Sequence, residues 1–255
     1  EFAERGHSVR AMMRLMVTSK AFQQRSVVNQ DQDRDPDNRL LSWFPRRRLT
    51  AEAIRDQALY VAGLLIEEAG GPSVKPYQPD GLWREVAMVQ SNTRIFRRDD
   101  GAALWRRSLY TYWKRAAPPP SMVMFDAPTR EFCTARRIPT NTPLQALGLL
   151  NETQRIEMAR MFAERLLKER TTDTERLDLC FTLLACREPS DAERTACVNL
   201  LQTMRTRYAD ADKEALALLG TGEVPRDKSL NTTDHAAWTQ LSVTLLASDL
   251  ALMMF

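Results

Sequence analysis

Histidine is nearly missing from this 255-residue chain, which has only His7 and His235. Its four cysteines, Cys133, Cys180, Cys186 and Cys197, form no C-x-x-C pair, no C-x-x-C-H haem attachment and no zinc spacing. The chain is therefore expected to hold no metal and no cofactor of its own. An excess of one charge is lacking too. Lys plus Arg number 36 against 33 Asp plus Glu, and the net +3 is too small for the overall field to attract a nucleic acid. No nucleic-acid partner is expected, and any anion recognition must be local. Lysine is scarce within the basic set, six against 30 arginines. That bias suits bidentate recognition of carboxylate, sulfate or phosphate, and a GC-rich genome produces the same bias. No apolar run approaches the ~20 residues of a membrane span, and no basic-then-apolar leader precedes Glu1. The expectation is a soluble chain with no span and no address. Its length removes any need for disulfide staples, and Cys180 beside Phe181 reads as a small buried hydrophobe.

What is present is mostly helix. Val9, Met12, Met13, Met16 and Val17 recur at helical spacing, as do Ile54, Ala58, Val61 and Leu65 in a segment ending on Gly70-Gly71. Between them QDQDRDPDNRLLSWFPRRRL, dense in Asp, Asn and Pro, reads as a surface arm. The Pro45 to Arg48 cluster reads as a helix lead-in, with a binding patch as the alternative. From Gly70 to Pro120 the chain is turn-rich. RRSLYTYWKR alternates Leu109, Thr111 and Trp113 against Tyr110 and Tyr112, and SMVMFDAP is a second extended candidate across the stiff Pro118–Pro120 run. Beyond it, Thr142-Pro143-Leu144-Gln145 combines a cap residue, a proline at the first helical position and a glutamine three residues on. Thr172 with Glu175 and Ser190 with Glu193 are further capping boxes. Apolar stripes through Phe162, Phe181, Leu200 and Leu241 complete a helical bundle.

The expected fold is mainly α: one irregular multi-helix domain over 1–255, with a small two-stranded or extended element around residues 108–127. Its parts are a helical pair with a surface arm (1–70), an irregular segment with short strands (71–141) and a helical bundle (142–255).

The stretch FDAPTREFCTARRIPTNTPLQALGLLN, residues 125–151, is polar and irregular before it enters a helix. A helix start leaves backbone N–H groups unpaired, so Thr140, Asn141 and Thr142 are candidates to hold an anion or a hydroxyl-rich ligand. Arg130, Arg136 and Arg137 lie nearby in sequence. Tyr110, Tyr112 and Trp113 offer flat faces of the kind on which sugar rings stack, with Lys114 and Arg115 adding charge. Cys133 is a nucleophile candidate if cationic neighbours lower its pKa, but no histidine lies near it in sequence, and no catalytic residue is assigned. Asp126 and Glu131, five residues apart, give no sign of the facing geometry that glycoside chemistry needs. Against the pocket stands a plainer reading: Asp126, Arg130, Glu131 and Arg137 form a salt-bridge network pinning the segment, and the aromatic residues belong to the core.

RRRLTAEAIRDQAL, GLWREVA, RRSLYTYWKRAAPPPSMVMFDAPTREFCTARRIPTNTPLQALGLLN and REPSDAE together resemble the planctomycete-type domain of unknown function numbered 1553. The likeness runs from EFAERGHSVRAMMRLMVTSKAF to about residue 250. The resemblance implies a large exported protein in which a cytochrome c-like domain and another uncharacterised domain often precede this one. Those preceding domains are then the expected partners, with a polysaccharide or other anionic ligand as a further one, and a periplasmic or cell-surface location follows. Two departures stand out. Glu1 matches the middle of the family domain, so a fragment lacking the N-terminal part, including an Asn-Arg-x-Trp type helix, is expected. The tail SDLALMMF differs from the usual Asn-Leu-Asp-Glu ending, and no haem motif carries a cytochrome role onto these residues. The leading expectation is a non-catalytic scaffold or interaction module. The alternative is a glycan- or anion-binding domain contributing to oxidative polysaccharide processing.

Overall fold

The computed structural model describes residues 1–24, 26 and 34–254. The chain forms two compact units, Glu1–Arg48 with Met253 and Met254, and Leu49–Leu252. In the smaller unit, helix α1 (Val9–Val17) starts where the Ser8 hydroxyl accepts the Ala11 N–H. It is amphipathic as expected, yet it buries none of its residues. Of the surface arm, residues 30–33 lie outside the described residues. The part from Arg34 onward folds around Asp35, whose carboxylate accepts the Arg39 and Leu40 N–H groups at 2.8 and 2.9 Å and the Ser42 hydroxyl at 3.1 Å.

The chain is mainly α, with a two-stranded antiparallel ladder. That ladder joins β1 (Arg47–Arg48) to β2 (Met253–Met254), pairing Arg47 with Met254 and Arg48 with Met253. Neither strand falls within residues 108–127, and strands some 200 residues apart leave no local periodic signal from which to foresee their pairing. The extended character expected near 108–127 takes the form of single bridges, Val74 to Thr111 and Lys114 to Ala117. Two 3-10 turns, Gly101–Trp105 and Ser108–Tyr110, interrupt this region. SMVMFDAP is a correction: a short helix begins there instead of a strand. Pro120 takes its first position, where a missing N–H costs nothing.

The larger unit builds its core on helices α2 (Ala51–Val61), α3 (Leu82–Val86), α4 (Pro120–Val123), α5 (Pro143–Asn151), α6 (Thr153–Glu169), α7 (Asp173–Ala185), α8 (Asp191–Ala209), α9 (Asp212–Leu219), α10 (Thr232–Leu246) and α11 (Asp249–Leu252). Met158, Phe162 and Leu166 of α6 pack against Leu177 and Phe181 of α7, Leu201 of α8, and Trp238 and Leu241 of α10. Each such side chain contributes roughly 1.5–3 kcal/mol through burial. The boxes at Thr172 and Ser190 open α7 and α8 as expected. A smaller cluster, Ile54, Met122, Phe125 and Leu149, joins α2, α4 and α5 beneath the irregular segment. Gly148 makes room for a side chain there: a Cβ would fall 2.9 Å from Met124 Cε and the end of that side chain would have to move.

Candidate functional site

Arginines decide how the irregular segments are held. Arg55 on α2 is buried. Its Nε donates to Gln154 Oε1 at 2.8 Å, Nη1 to the Arg106 carbonyl at 2.9 Å, and Nη2 to the Leu104 carbonyl at 2.7 Å. Arg155 donates to the Ile54 and Leu246 carbonyls at 3.2 and 2.9 Å, and Arg106 reaches the carbonyls of Pro72, Glu68 and Gly70. Arg160 closes the loop after α9 through the Thr221 and Val224 carbonyls. Burial pushes the Arg55 and Arg155 guanidinium groups down to about 10, which leaves both charged at neutral pH. Five rigid donors on one planar head suit arginine for collecting carbonyls that the irregular backbone leaves unpaired. The arginine excess therefore has a structural use that neither sequence reading foresaw.

Beside Arg155, Glu152 caps α6 by accepting the Gln154 and Arg155 N–H groups at 3.4 and 3.1 Å. Burial raises its carboxyl pKa, and the nearby Arg155 charge acts against that rise. Arg55, Glu152 and Arg155, with Met122, Phe125 and Met158, line a cavity of about 30 Å³. That volume admits a water molecule or two and no sugar ring. None of the residues singled out as ligand candidates in the sequence lines it. These charged residues went unnoticed in the sequence because their partners are remote. The Glu-x-x-Arg step opening α6 is the local trace of the cap.

The sequence candidates are spread along the same unit, and all but Cys133, Arg136 and Asn141 are described beside a neighbour from their own chain. Arg106 lies over the Tyr110 ring at 3.9 Å, and the Tyr110 hydroxyl accepts the Gly70 N–H at 2.8 Å. Tyr112 has Lys75 over its ring at 5.4 Å and Trp83 tilted against it at 5.5 Å. Trp113 donates to the Thr129 carbonyl at 3.1 Å while Arg130 covers its ring at 4.6 Å. Arg115 is exposed and pairs with Glu131 at 3.4 Å.

Arg137 forms a bidentate pair with Glu52 of α2 at 2.6 and 3.0 Å. Burial raises the Glu52 pKa, but the Arg137 hydrogen bonds and charge, together with hydrogen bonds from its own N–H and from Thr50, hold the carboxyl below its ordinary range. The Thr140 N–H and hydroxyl both donate to Asp126 at 2.8 Å. Gln145 Oε1 accepts the Thr142 N–H at 3.3 Å, and its amide donates to the Met124 carbonyl and to Thr140 Oγ1. Cys133, Arg136 and Asn141 are exposed.

The expected network among Asp126, Arg130, Glu131 and Arg137 is thus a set of separate ties running outward to Thr140, Trp113, Arg115 and Glu52. Charges alternating along an irregular strand of chain point in different directions, so proximity in sequence did not bring them together. Asp126 and Glu131 have different partners and do not present a facing pair. Among the described residues no group of His, Cys, Asp and Glu is arranged to hold a metal ion, and no helix is long and apolar enough to cross a membrane.

Comparison with known proteins returns one family, and no curated protein and no solved structure matches. The matched span, residues 1–201, contains α1 to α7, the cavity and every sequence candidate, and it ends within α8 instead of near residue 250. By that match the chain belongs to the PSD1 family, described as protein of unknown function (DUF1553).

Proposed function

We propose that this chain is a non-catalytic scaffold or interaction module of a larger exported, cytochrome-associated protein of planctomycete type, with the preceding domains of that parent as its partners. The observation that carries the reading is the covering of the candidate rings. Tyr110, Tyr112 and Trp113 have Arg106, Lys75 and Arg130 on their faces, so a sugar would have to displace an internal contact to stack there. Docking has a surface available in the same region. Phe132, Ile138 and Leu144 are 78%, 76% and 60% exposed, and Leu147 follows Leu144 one helical turn on.

The test is to express the preceding domains separately, mix them with this chain and follow association by sedimentation velocity. A faster-sedimenting complex that disappears with Leu144→Glu and Leu147→Glu supports the module. Free components at high micromolar concentration contradict it. The second reading, a glycan- or anion-binding domain in oxidative polysaccharide processing, is favoured by the exposure of Arg136, Asn141 and Thr142 at the start of α5. It predicts retention on a sulfated-glycan column that is lost with Arg136→Ala.

A further inference from the structure

The four cysteines are free thiols, with Cys133 and Cys186 exposed and Cys180 and Cys197 buried. The buried pair sits on α7 and α8, which a five-residue connection, 186–190, joins. Helices linked by so short a loop lie side by side as a hairpin. The two are in contact, and Arg194 Nη2 ties them by donating to Asp178 Oδ1 at 2.6 Å. Counted from residue 188 at the centre of the connection, Cys180 lies eight residues back and Cys197 nine residues on, so the two stand level across the hairpin. Leu177 and Leu201, about one turn further from the loop, obey the same register and share the same core. Both cysteines belong to that apolar cluster, 0% and 6% exposed. Small side chains at two level positions allow the helices to approach closely there. Burial, and after it the charge at Cys197, pushes the Cys180 thiol up.

We propose that Cys180 and Cys197 form a disulfide that staples the α7–α8 hairpin, with a small-molecule or protein disulfide as the oxidant. The two thiols together give up two protons and two electrons, an S–S bond forms between them, and the oxidant's S–S bond is reduced to two thiols through a mixed-disulfide intermediate. The exchange takes place during folding, before the helices close, because a buried thiol offers little of the reactive thiolate. Cys133 and Cys186 stay reduced.

The full chain is unfolded in urea with reductant, refolded in reduced and oxidised glutathione, checked for helical circular dichroism, and quenched with N-ethylmaleimide in denaturant before peptide mass mapping. A second arm needs no refolding and maps the chain after expression in a bacterial periplasm. The expected result in either arm is a linked peptide pair containing Cys180 and Cys197, with Cys133 and Cys186 labelled. The urea midpoint of that product falls when dithiothreitol is added. The double variant Cys133→Ser, Cys186→Ser, which leaves the hairpin interface untouched, gives the same link. Helical protein in which Cys180 and Cys197 both carry label, or in which either is linked to an exposed cysteine, overturns the proposal.

Discussion

Two arginine-rich regions of the larger unit use one side chain in opposite ways. In the core, Arg55, Arg155 and Arg160 are buried and aim at backbone carbonyls 49 to 101 residues away. In the leader before α5, Arg130, Arg136 and Arg137 sit at or near the surface, and those with partners bind a ring or a carboxylate. The difference follows from what each place lacks. Buried irregular backbone has acceptors without water, and a guanidinium satisfies several at once. At the surface water serves those acceptors, and the same group contributes only a modest, exposed pairing.

The comparison breaks most visibly at Arg55. Replacing it with Met leaves the Arg106 carbonyl and Gln154 Oε1 without their Arg55 donor, each a buried polar group costing ~1–3 kcal/mol, and leaves the Leu104 carbonyl with the Gln154 amide alone at 3.1 Å. Arg55→Met should lose about 3–5 kcal/mol in urea unfolding. Gly222 sharpens the same point for the loop held by α6. It has φ +96°, and a Cβ there would meet Glu157 Cδ at 2.5 Å, the carboxylate that accepts the Glu223 and Val224 N–H groups. Gly222→Ala should cost roughly 2–3 kcal/mol.

His235, wholly buried on α10, extends the contrast to pH. Its Nε2 lies 3.2 Å from the Arg160 carbonyl and so carries the proton. Burial is the main cause that pushes its pKa below 6.5, with Arg160 and Arg226 adding to the depression, against the Arg160 carbonyl and Glu164. The unfolded chain takes up a proton near pH 6.5 and the folded chain only at lower pH. Its contribution is therefore complete above pH 6.5 and is lost as pH falls through the folded pKa. Urea midpoints should decline below pH 6.5, and less steeply in His235→Asn.

The leader should yield far smaller effects. Glu52→Gln removes a half-exposed ion pair and should cost about 0.5–1 kcal/mol globally, while amide exchange across residues 128–141 speeds up. Arg136→Ala should change the urea midpoint by less than the equivalent of about 0.5 kcal/mol.

The same contrast explains what could be read from sequence. The starts of α5, α7 and α8 were legible because a cap and its partner lie within one turn, as with Ser190 and Glu193. The apolar stripes of α6 and α7 likewise identify Phe162, Cys180 and Phe181 as core. What escaped depends on distant partners: the Arg47–Met254 pairing, the hold of Arg55 on Leu104, and the tie from Arg137 to Glu52. SMVMFDAP was misread because alternation over a few residues resembles a strand, while Pro119 and Pro120 start a helix. In the candidate site only the Thr142–Gln145 contact was local enough to foresee. The aromatic residues stand out in the sequence, but a sequence does not say what covers a ring.

The most direct measurement of whether the leader is held by its own chain is hydrogen exchange at the Thr140 amide, which donates to Asp126 Oδ2 at 2.8 Å. Followed by NMR in the free chain and with a sulfated oligosaccharide, it should be protected from the outset, lose protection in Asp126→Ala, and not respond to the sugar. A Thr140 amide that exchanges freely alone and slows when the oligosaccharide is added would contradict this account.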